Sequence, residues 1–393
     1  MPRERLIAGI MSGTSADGVD VALVALDRAS RPTLVHAAVH PFDAATRAAI
    51  LTLAEPDGGD ARAVARLDFH LARAYADALS ATLAESGVPI ARLDLIGCHG
   101  QTIAHLPNEA VPSTLQAGSG PALAALSGVP VVYDFRAADV ALGGQGAPLI
   151  PFVDFLLFHE LAARHAVGVL NLGGIANLTL LPAGVTDPAQ VVAFDSGPAN
   201  IVIDGLMRIL AGADYDRDGQ LAAAGNVHDG LLAELLRHEY FGRQLPKSTG
   251  REEFGSSFVA ELIQRGKLLG LSDADLIATA TMLTARSIAR SLESVSRQHR
   301  PAELILGGGG ADNATLRKML GAELPDVTLL RHEDAGWPSD AKEAIGFALL
   351  ADAAVRAVPS ALPNVTGTRE PLVLGALAPG RPPRVWPDWI GQS

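Results

Sequence analysis

The apolar residues of this chain follow two rhythms. Short, mainly apolar runs, of the length buried strands use, occur at 6–8, 21–26, 31–39, 93–98, 129–134, 167–170, 178–181, 191–194 and 304–306, with a further short strand at 113–116. Recurrence at three and four residues marks helices. The longest spans 61–86, where Val64, Leu67, Leu71, Ala74, Tyr75, Ala78 and Leu79 fall on one face. Further helices are predicted over 44–53, 152–163, 201–211, 277–295 and 344–357. One pattern occurs twice: a strand, a glycine-rich turn and a second strand, at 7–26 and again at 167–181. This repetition predicts an internal duplication, two α/β domains that each open with an antiparallel hairpin. The boundary is placed at 145/146, giving domains 1–145 and 146–393, with the C-terminal tail packing back on the first domain.

Polar residues gather where the strands end. The first turn contains Ser12, Gly13, Thr14, Ser15, Ala16, Asp17, Gly18, Val19 and Asp20. Its glycines let backbone N–H groups approach a ligand, and such a turn favours anions. Its hydroxyls are donors, and Asp17 and Asp20 can hold a cation through water, so a phosphate with its magnesium fits. An ordinary hairpin loop uses the same residue types. No Gly-Lys-Ser/Thr follows, which excludes the Walker loop. His99 and Gln101 follow the strand at 93–98 and can touch a sugar hydroxyl or a phosphate; for a lone histidine such as His99 the structural reading, a bond to a nearby carbonyl, is the favoured one. Arg136 offers a planar fork for a carboxylate or phosphate, and Asp139 offers acceptors for sugar hydroxyls, unless the two form an internal ion pair. Gln145 sits in a Gly-Gly-Gln-Gly run bare enough for something to approach. Asp195 lies at a strand end before a Gly-Pro turn and a helix, where it is a general base or a helix cap. Residues 214–219 lack the glutamate of a calcium loop and read as a solvated loop. Residues 247–253 form a polar loop that can contact substrate or phosphate. Gly308 and Gly309 belong to a four-glycine run between strand and helix, suited to adenine or phosphate. Glu343 opens the last helix, where the dipole alone favours a carboxylate.

Composition narrows the classes. The chain has 393 residues, 48% hydrophobic and 19% charged, which suits two well-filled cores and argues against disorder. A net charge of −12 argues against a general nucleic-acid surface. Cys98 is the single cysteine, so no intrachain disulfide forms. No apolar run has the length of a membrane span, and a cytoplasmic enzyme is the expectation.

Taken together, the motifs resemble the anhydro-N-acetylmuramic acid kinase family, within the actin, sugar-kinase and Hsp70 superfamily. The resemblance rests on MSGTSADGVD at 11–20, GCHGQT at 97–102, DFRAADVALGGQGAPLIP at 134–151, NLGGIANLT at 171–179, FDSGPAN at 194–200, KSTGRE at 247–252, LGGGGADN at 306–313 and NVTG at 364–367. It implies two ribonuclease-H-like α/β domains with a cleft between them, ATP and Mg2+ as cofactors, a sugar as substrate and a homodimer. The implied reaction opens the 1,6-anhydro ring of the sugar and phosphorylates O6. Carried over, residues Gly13 to Asp20 hold the ATP phosphates, joined by Gly173, Gly174, Gly308 and Gly309 on the nucleotide side. Asp195 is the base that activates water, Glu343 a supporting carboxylate, and His99, Gln101, Arg136, Asp139 and Gln145 face the sugar; no protein ligand to a metal is assigned. Three positions depart from the family pattern. Ala137 and Ala138 stand where further arginines are frequent, Ala199 where glycine is frequent, and Met11 where the wider superfamily often has Asp. The two alanines keep another 1,6-anhydro sugar, such as levoglucosan, in view as substrate; a non-catalytic ATP- or sugar-binding regulator is the other alternative.

Overall fold

In the computed structural model, which describes residues 4–381, the first two apolar runs become β1 (Arg5–Met11) and β2 (Gly18–Leu26). They pair antiparallel from Arg5 with Leu26 to Met11 with Asp20, which leaves residues 12–17 as the turn. β3 (Pro32–Pro41) extends the meander antiparallel to β2. β4 (Leu95–Cys98) lies parallel to β1 on its other side. β5 (Gln101–Leu106) and β6 (Ser113–Ala117) form a separate antiparallel ribbon, and β7 (Val131–Tyr133) runs parallel to β4. The second sheet repeats the plan. β8 (Val167–Leu172), β9 (Ile175–Leu181) and β10 (Val192–Pro198) form an antiparallel meander; β11 (Glu303–Gly307) lies parallel to β8, and β12 (Thr328–Arg331) parallel to β11. A short β13 (Ala376–Ala378) closes the edge of the first sheet against β7.

The strand orders are therefore β13-β7-β4-β1-β2-β3 and β10-β9-β8-β11-β12. In both, a three-strand meander is flanked at its first strand by two parallel strands, the ribonuclease-H-like order. The two hairpins that the hydrophobic pattern repeats are the central pairs of these two sheets. The family-type fold is thus α/β with two mixed sheets.

The chain divides into two compact units, residues 1–153 with 340–393, and 154–339. The first passage between units falls inside the Ile150–Phe158 helix, close to the boundary expected at 145/146. Among the described residues, 340–381 group with the first unit, so the last long helix goes with it as well as the tail. The physical cause is the Lys342–Val355 helix, which lies on the first sheet. A Cβ added to Gly9 on β1 would come within 1.8 Å of the Ala344 carbonyl oxygen, and one on Gly97 of β4 within 2.0 Å of the Phe347 carbonyl oxygen. Gly9 and Gly97 are neighbours in the parallel β1–β4 pair. They form a bare platform on which helix backbone rests directly on sheet.

Cores form where the periodicity places them. In the first unit, Leu67, Leu71, Tyr75 and Leu79 of the Ala61–Ser86 helix pack with Ala8, Ile10, Val21 and Leu23 of the sheet. In the second, Ala285, Ile288 and Leu292 of the Asp273–Ser294 helix pack with Leu170, Leu178, Leu180 and Leu304. Among the described residues no helix is long and apolar enough to cross a membrane.

Several local expectations change. The helix expected over 152–163 ends at Phe158 and is followed by a separate short turn at Leu161–Ala163. The helix expected over 201–211 is α-helical at Asn200–Leu206 and widens into a π turn at Met207–Ala211. The loop at 214–219 is not simply solvated, since Asp216 is buried and accepts from the N–H groups of Leu221 and Ala222. β5, β12 and β13 are strands beyond those expected from the sequence.

Candidate active site

In the first unit the turn at 12–17 is built from within. Ser12 is buried and its hydroxyl bonds to the Tyr75 hydroxyl at 2.8 Å, so it supports the turn instead of facing a ligand. Ala16 has a positive φ of 51°, and its N–H closes the turn on the Gly13 carbonyl at 3.1 Å. Ala16 and Val19 belong to the hydrophobic core, so only their main chain is available to a nucleotide. Thr14 and Ser15 are exposed, and Ser15 donates to Asp17 at 2.8 Å. Gln101 is buried and donates to the Gly13 carbonyl at 3.0 Å, while its Oε1 has no hydrogen-bond partner among the described residues. Gln101 thus braces the turn.

Asp20 lies just beyond the turn, and its pKa is raised to about 6 by burial first and then by Asp17, Glu343 and Asp340. The folded protein therefore holds a proton on Asp20 more tightly than the unfolded chain. That contribution is present at low pH and is lost as pH rises through about 6. Asp20→Asn is expected to raise the melting temperature at pH 7.5, with the gain vanishing by pH 4. The group keeps contact with water, so a discounted gain of about 1 kcal/mol is the expected size. Thermal unfolding of both proteins at the two pH values checks this; equal midpoints at pH 7.5 would contradict the placement of Asp20 among like charges.

A second cluster in the same unit joins His99, Arg136 and Glu343. His99 is buried between β4 and β5, its Nδ1–H donating to the Gly100 carbonyl at 2.8 Å. Its Nε2 accepts from Arg136 Nε at 2.9 Å. Burial first, then the Arg136 charge, lowers the His99 pKa to about 3, so the ring is neutral. His99 is the structural histidine of the two readings: its polar atoms are both engaged by the protein, and direct sugar contact is corrected accordingly. Arg136 donates from Nη1 to the Gly146 carbonyl at 2.6 Å rather than pairing with Asp139. Asp139 is wholly buried; its Oδ2 accepts from Gly146 N–H at 2.6 Å and its Oδ1 from the Thr366 hydroxyl at 2.6 Å. A sugar hydroxyl cannot reach it, and Asp139 instead shapes the glycine loop and ties down the tail. Gln145, held through its N–H to the Thr366 carbonyl at 2.7 Å, has an exposed side chain. Glu343 stands in the first turn of the Lys342–Val355 helix with an exposed side chain. Its surroundings raise its pKa by desolvation, against the pull of Lys342 and Arg136.

In the second unit the centre is Asp195. β10 continues through it to Pro198, with a bulge between Asp195 and Gly197. The next helix begins at Asn200 with Ala199 before it and no side-chain cap, so the helix-cap reading of Asp195 is excluded. φ at Ala199 is −121°, so this position does not need the positive φ that favours glycine. The Asp195 carboxylate accepts from Asn177 Nδ2 through Oδ1 and from the Thr249 N–H through Oδ2 at 2.9 Å. Its own N–H donates to the Lys247 carbonyl at 2.9 Å, and its carbonyl accepts from the Tyr240 hydroxyl at 2.7 Å. Burial raises the Asp195 pKa despite the two donors. A carboxylate fixed at both ends and made more basic is suited to take a proton from water. Asn177 and Tyr240 were not among the expected site residues. Asn177 lies on β9 opposite Asp195 in the β9–β10 pair, and Thr249 lies in the polar loop whose composition did signal a ligand role.

The glycines of this unit divide by role. The carbonyls of Gly173 and Gly174 accept from the N–H groups of Ala199, Asn200 and Ile201, so this turn supports the start of the next helix. Gly308 has φ of 75°, and a Cβ there would lie 2.6 Å from Asn171 Oδ1. Gly309 is roomier, with nothing nearer than 4.0 Å to an added Cβ. Asn313 caps the helix Ala314–Glu323, its side-chain oxygen accepting from the Leu316 N–H at 2.9 Å.

The model of the family described as anhydro-N-acetylmuramic acid kinase matches residues 5–380 of this chain. The chain belongs to that family. An anhydro-N-acetylmuramic acid kinase from Salinibacter ruber is 47% identical over 385 residues, covering 95% of this chain and 96% of the relative. The corresponding kinase from Caldanaerobacter subterraneus subsp. tengcongensis is 40% identical over 387 residues, covering 95% and 97%. One from Bacillus cereus is 39% identical over 378 residues, covering 94% and 98%. As a family member the chain is an ATP-using phosphotransferase, and Asp195, Glu343 and the first turn lie within the matched region.

Proposed function

We propose that this protein opens the 1,6-anhydro ring of 1,6-anhydro-N-acetylmuramic acid and phosphorylates O6 with ATP, giving N-acetylmuramic acid 6-phosphate in the cytoplasmic recycling of peptidoglycan. The observation that carries the mechanism is the clamped, basicity-raised carboxylate of Asp195. It takes a proton from water as that water attacks C1. The C1–O6 bond breaks, and O6 departs with the electron pair and attacks the γ-phosphorus of ATP, whose bond to the β,γ-bridging oxygen breaks so that ADP leaves with that electron pair. The attacking oxygen is thus made by the bond cleavage itself, and one protein base suffices. Phosphoryl transfer then depends on position and charge, for which the turn from Gly13 to Asp20 offers main-chain N–H groups and the Thr14 and Ser15 hydroxyls. Glu343 supports the sugar from the helix start, and Arg136 offers its guanidinium to the lactyl carboxylate.

Among the described residues no three His, Cys, Asp or Glu side chains converge to hold a metal. Magnesium fits nonetheless, because it keeps phosphate and water oxygens around it and needs one or two carboxylates. Asp20, exposed in part and burdened by neighbouring negative charge, is the carboxylate that would hold it. When bound, the ion supplies neutralisation of phosphate charge.

ADP release, measured with ATP and magnesium, tests the reading by offering 1,6-anhydro-N-acetylmuramic acid and levoglucosan in parallel. Turnover of the muramic sugar is the expected result. Turnover of levoglucosan alone would move the substrate, and turnover of neither would overturn the proposal.

A further inference from the structure

Arg136 is held by two bonds, and the atoms those bonds use decide what the rest of it can do. Its Nε–H is consumed by His99 Nε2 and one Nη1–H by the Gly146 carbonyl. The acceptor nitrogen of His99 exists only because its other nitrogen carries the proton, donated to the Gly100 carbonyl. The ring is fixed in a second way: it packs on Phe347, with ring centroids 4.6 Å apart. Phe347 lies one helical turn after Glu343 on the Lys342–Val355 helix, so the same face carries the ring support and the carboxylate. Glu343 is close enough for its charge to stabilise the Arg136 cation, yet the two form no ion pair. Three N–H donors of Arg136 remain, one on Nη1 and two on Nη2.

We infer that His99 is a positioning residue that turns Arg136 so that only its Nη1–Nη2 edge meets the substrate, and that this edge selects sugars bearing a carboxylate. The inference rests on the proposed muramic acid substrate and names the device that recognises its lactyl group. A neutral imidazole suits this role, because an imidazolium would repel the guanidinium and offer no acceptor. A single arginine oriented in this way explains how Ala137 and Ala138 are compatible with carboxylate recognition: a planar carboxylate needs one fork, provided the fork cannot rotate.

The test compares two probe sugars, 1,6-anhydro-N-acetylmuramic acid and 1,6-anhydro-N-acetylglucosamine, which lacks the lactyl ether. His99→Leu removes the acceptor, and His99→Gln restores one near the position of Nε2. His99→Leu is expected to raise KM for the muramic sugar about tenfold or more, with a smaller change in kcat and in KM for the glucosamine sugar. His99→Gln is expected to recover much of the loss. Arg136→Leu, measured alongside, is expected to abolish the preference between the two sugars. If Arg136→Leu leaves the preference intact, the carboxylate reading itself fails. If Arg136→Leu abolishes it while His99→Leu preserves it, the positioning inference fails and the substrate reading stands. Equal loss on both sugars in His99→Leu, without rescue by Gln, would reduce His99 to a packing role, and melting curves of each variant show whether the fold is retained.

Discussion

Asp195→Asn is expected to lower kcat by about 10²–10⁴-fold, the usual worth of a positioned general base, while ATP affinity changes little. The substitution is nearly isosteric. The main chain of residue 195 stays fixed by the Lys247 carbonyl and the Tyr240 hydroxyl. What disappears is the basic oxygen. The amide also disturbs the clamp, because Asn177 Nδ2 and the Thr249 N–H both donate to the present carboxylate and an amide nitrogen cannot accept. Single-turnover measurement of sugar opening separates the base from product release. Normal turnover by the Asn variant would remove Asp195 from the mechanism. The raised pKa also gives the pH profile a direction: activity falls on the acid side as Asp195 is protonated, at a pH above that of an ordinary aspartate.

Gly9→Ala is expected to destabilise the protein by about 3 kcal/mol, the upper end of overpacking effects, and to depress activity with it. The added methyl would lie 1.8 Å from the Ala344 carbonyl oxygen and 2.8 Å from the Ala348 nitrogen, and neither is a side chain that can turn away. The helix must lift from the sheet, and Glu343 and Phe347 move with it. Chemical denaturation measures the first effect, and KM for the sugar measures the second. Gly309→Ala is the matched control, since its methyl meets nothing nearer than 4.0 Å. An unchanged midpoint for Gly9→Ala would show that the helix does not rest on this platform.

The two effects differ in how visible they were before the fold was known. Asp195 stood out in the sequence because a polar Asp-Ser-Gly-Pro run follows a buried strand. Its competing reading as a helix cap could be resolved only by seeing β10 continue to Pro198 and the helix start without a side-chain cap. Asp139 shows the opposite case. Its setting after Arg136 suggested a sugar contact, but the tail returns to place Thr366 on its carboxylate, 227 residues away in the chain. Gln101 reads as a substrate ligand by position, and the structure adds a bond from its Nε2 to the Gly13 carbonyl that the sequence does not show.

The sequence by itself determined the duplicated hairpins, the long helices, the glycine turns at strand ends and the family, because each is written in neighbouring residues: alternation and helical period set local backbone, and glycine sets where it turns. Only the tertiary structure decided which glycines are taken up by packing and helix support, that the chain from residue 340 joins the first unit, and that His99 holds Arg136 while Thr249 holds Asp195. Those facts depend on surfaces meeting across long separations, where burial removes water and each polar atom must find its partner inside the protein.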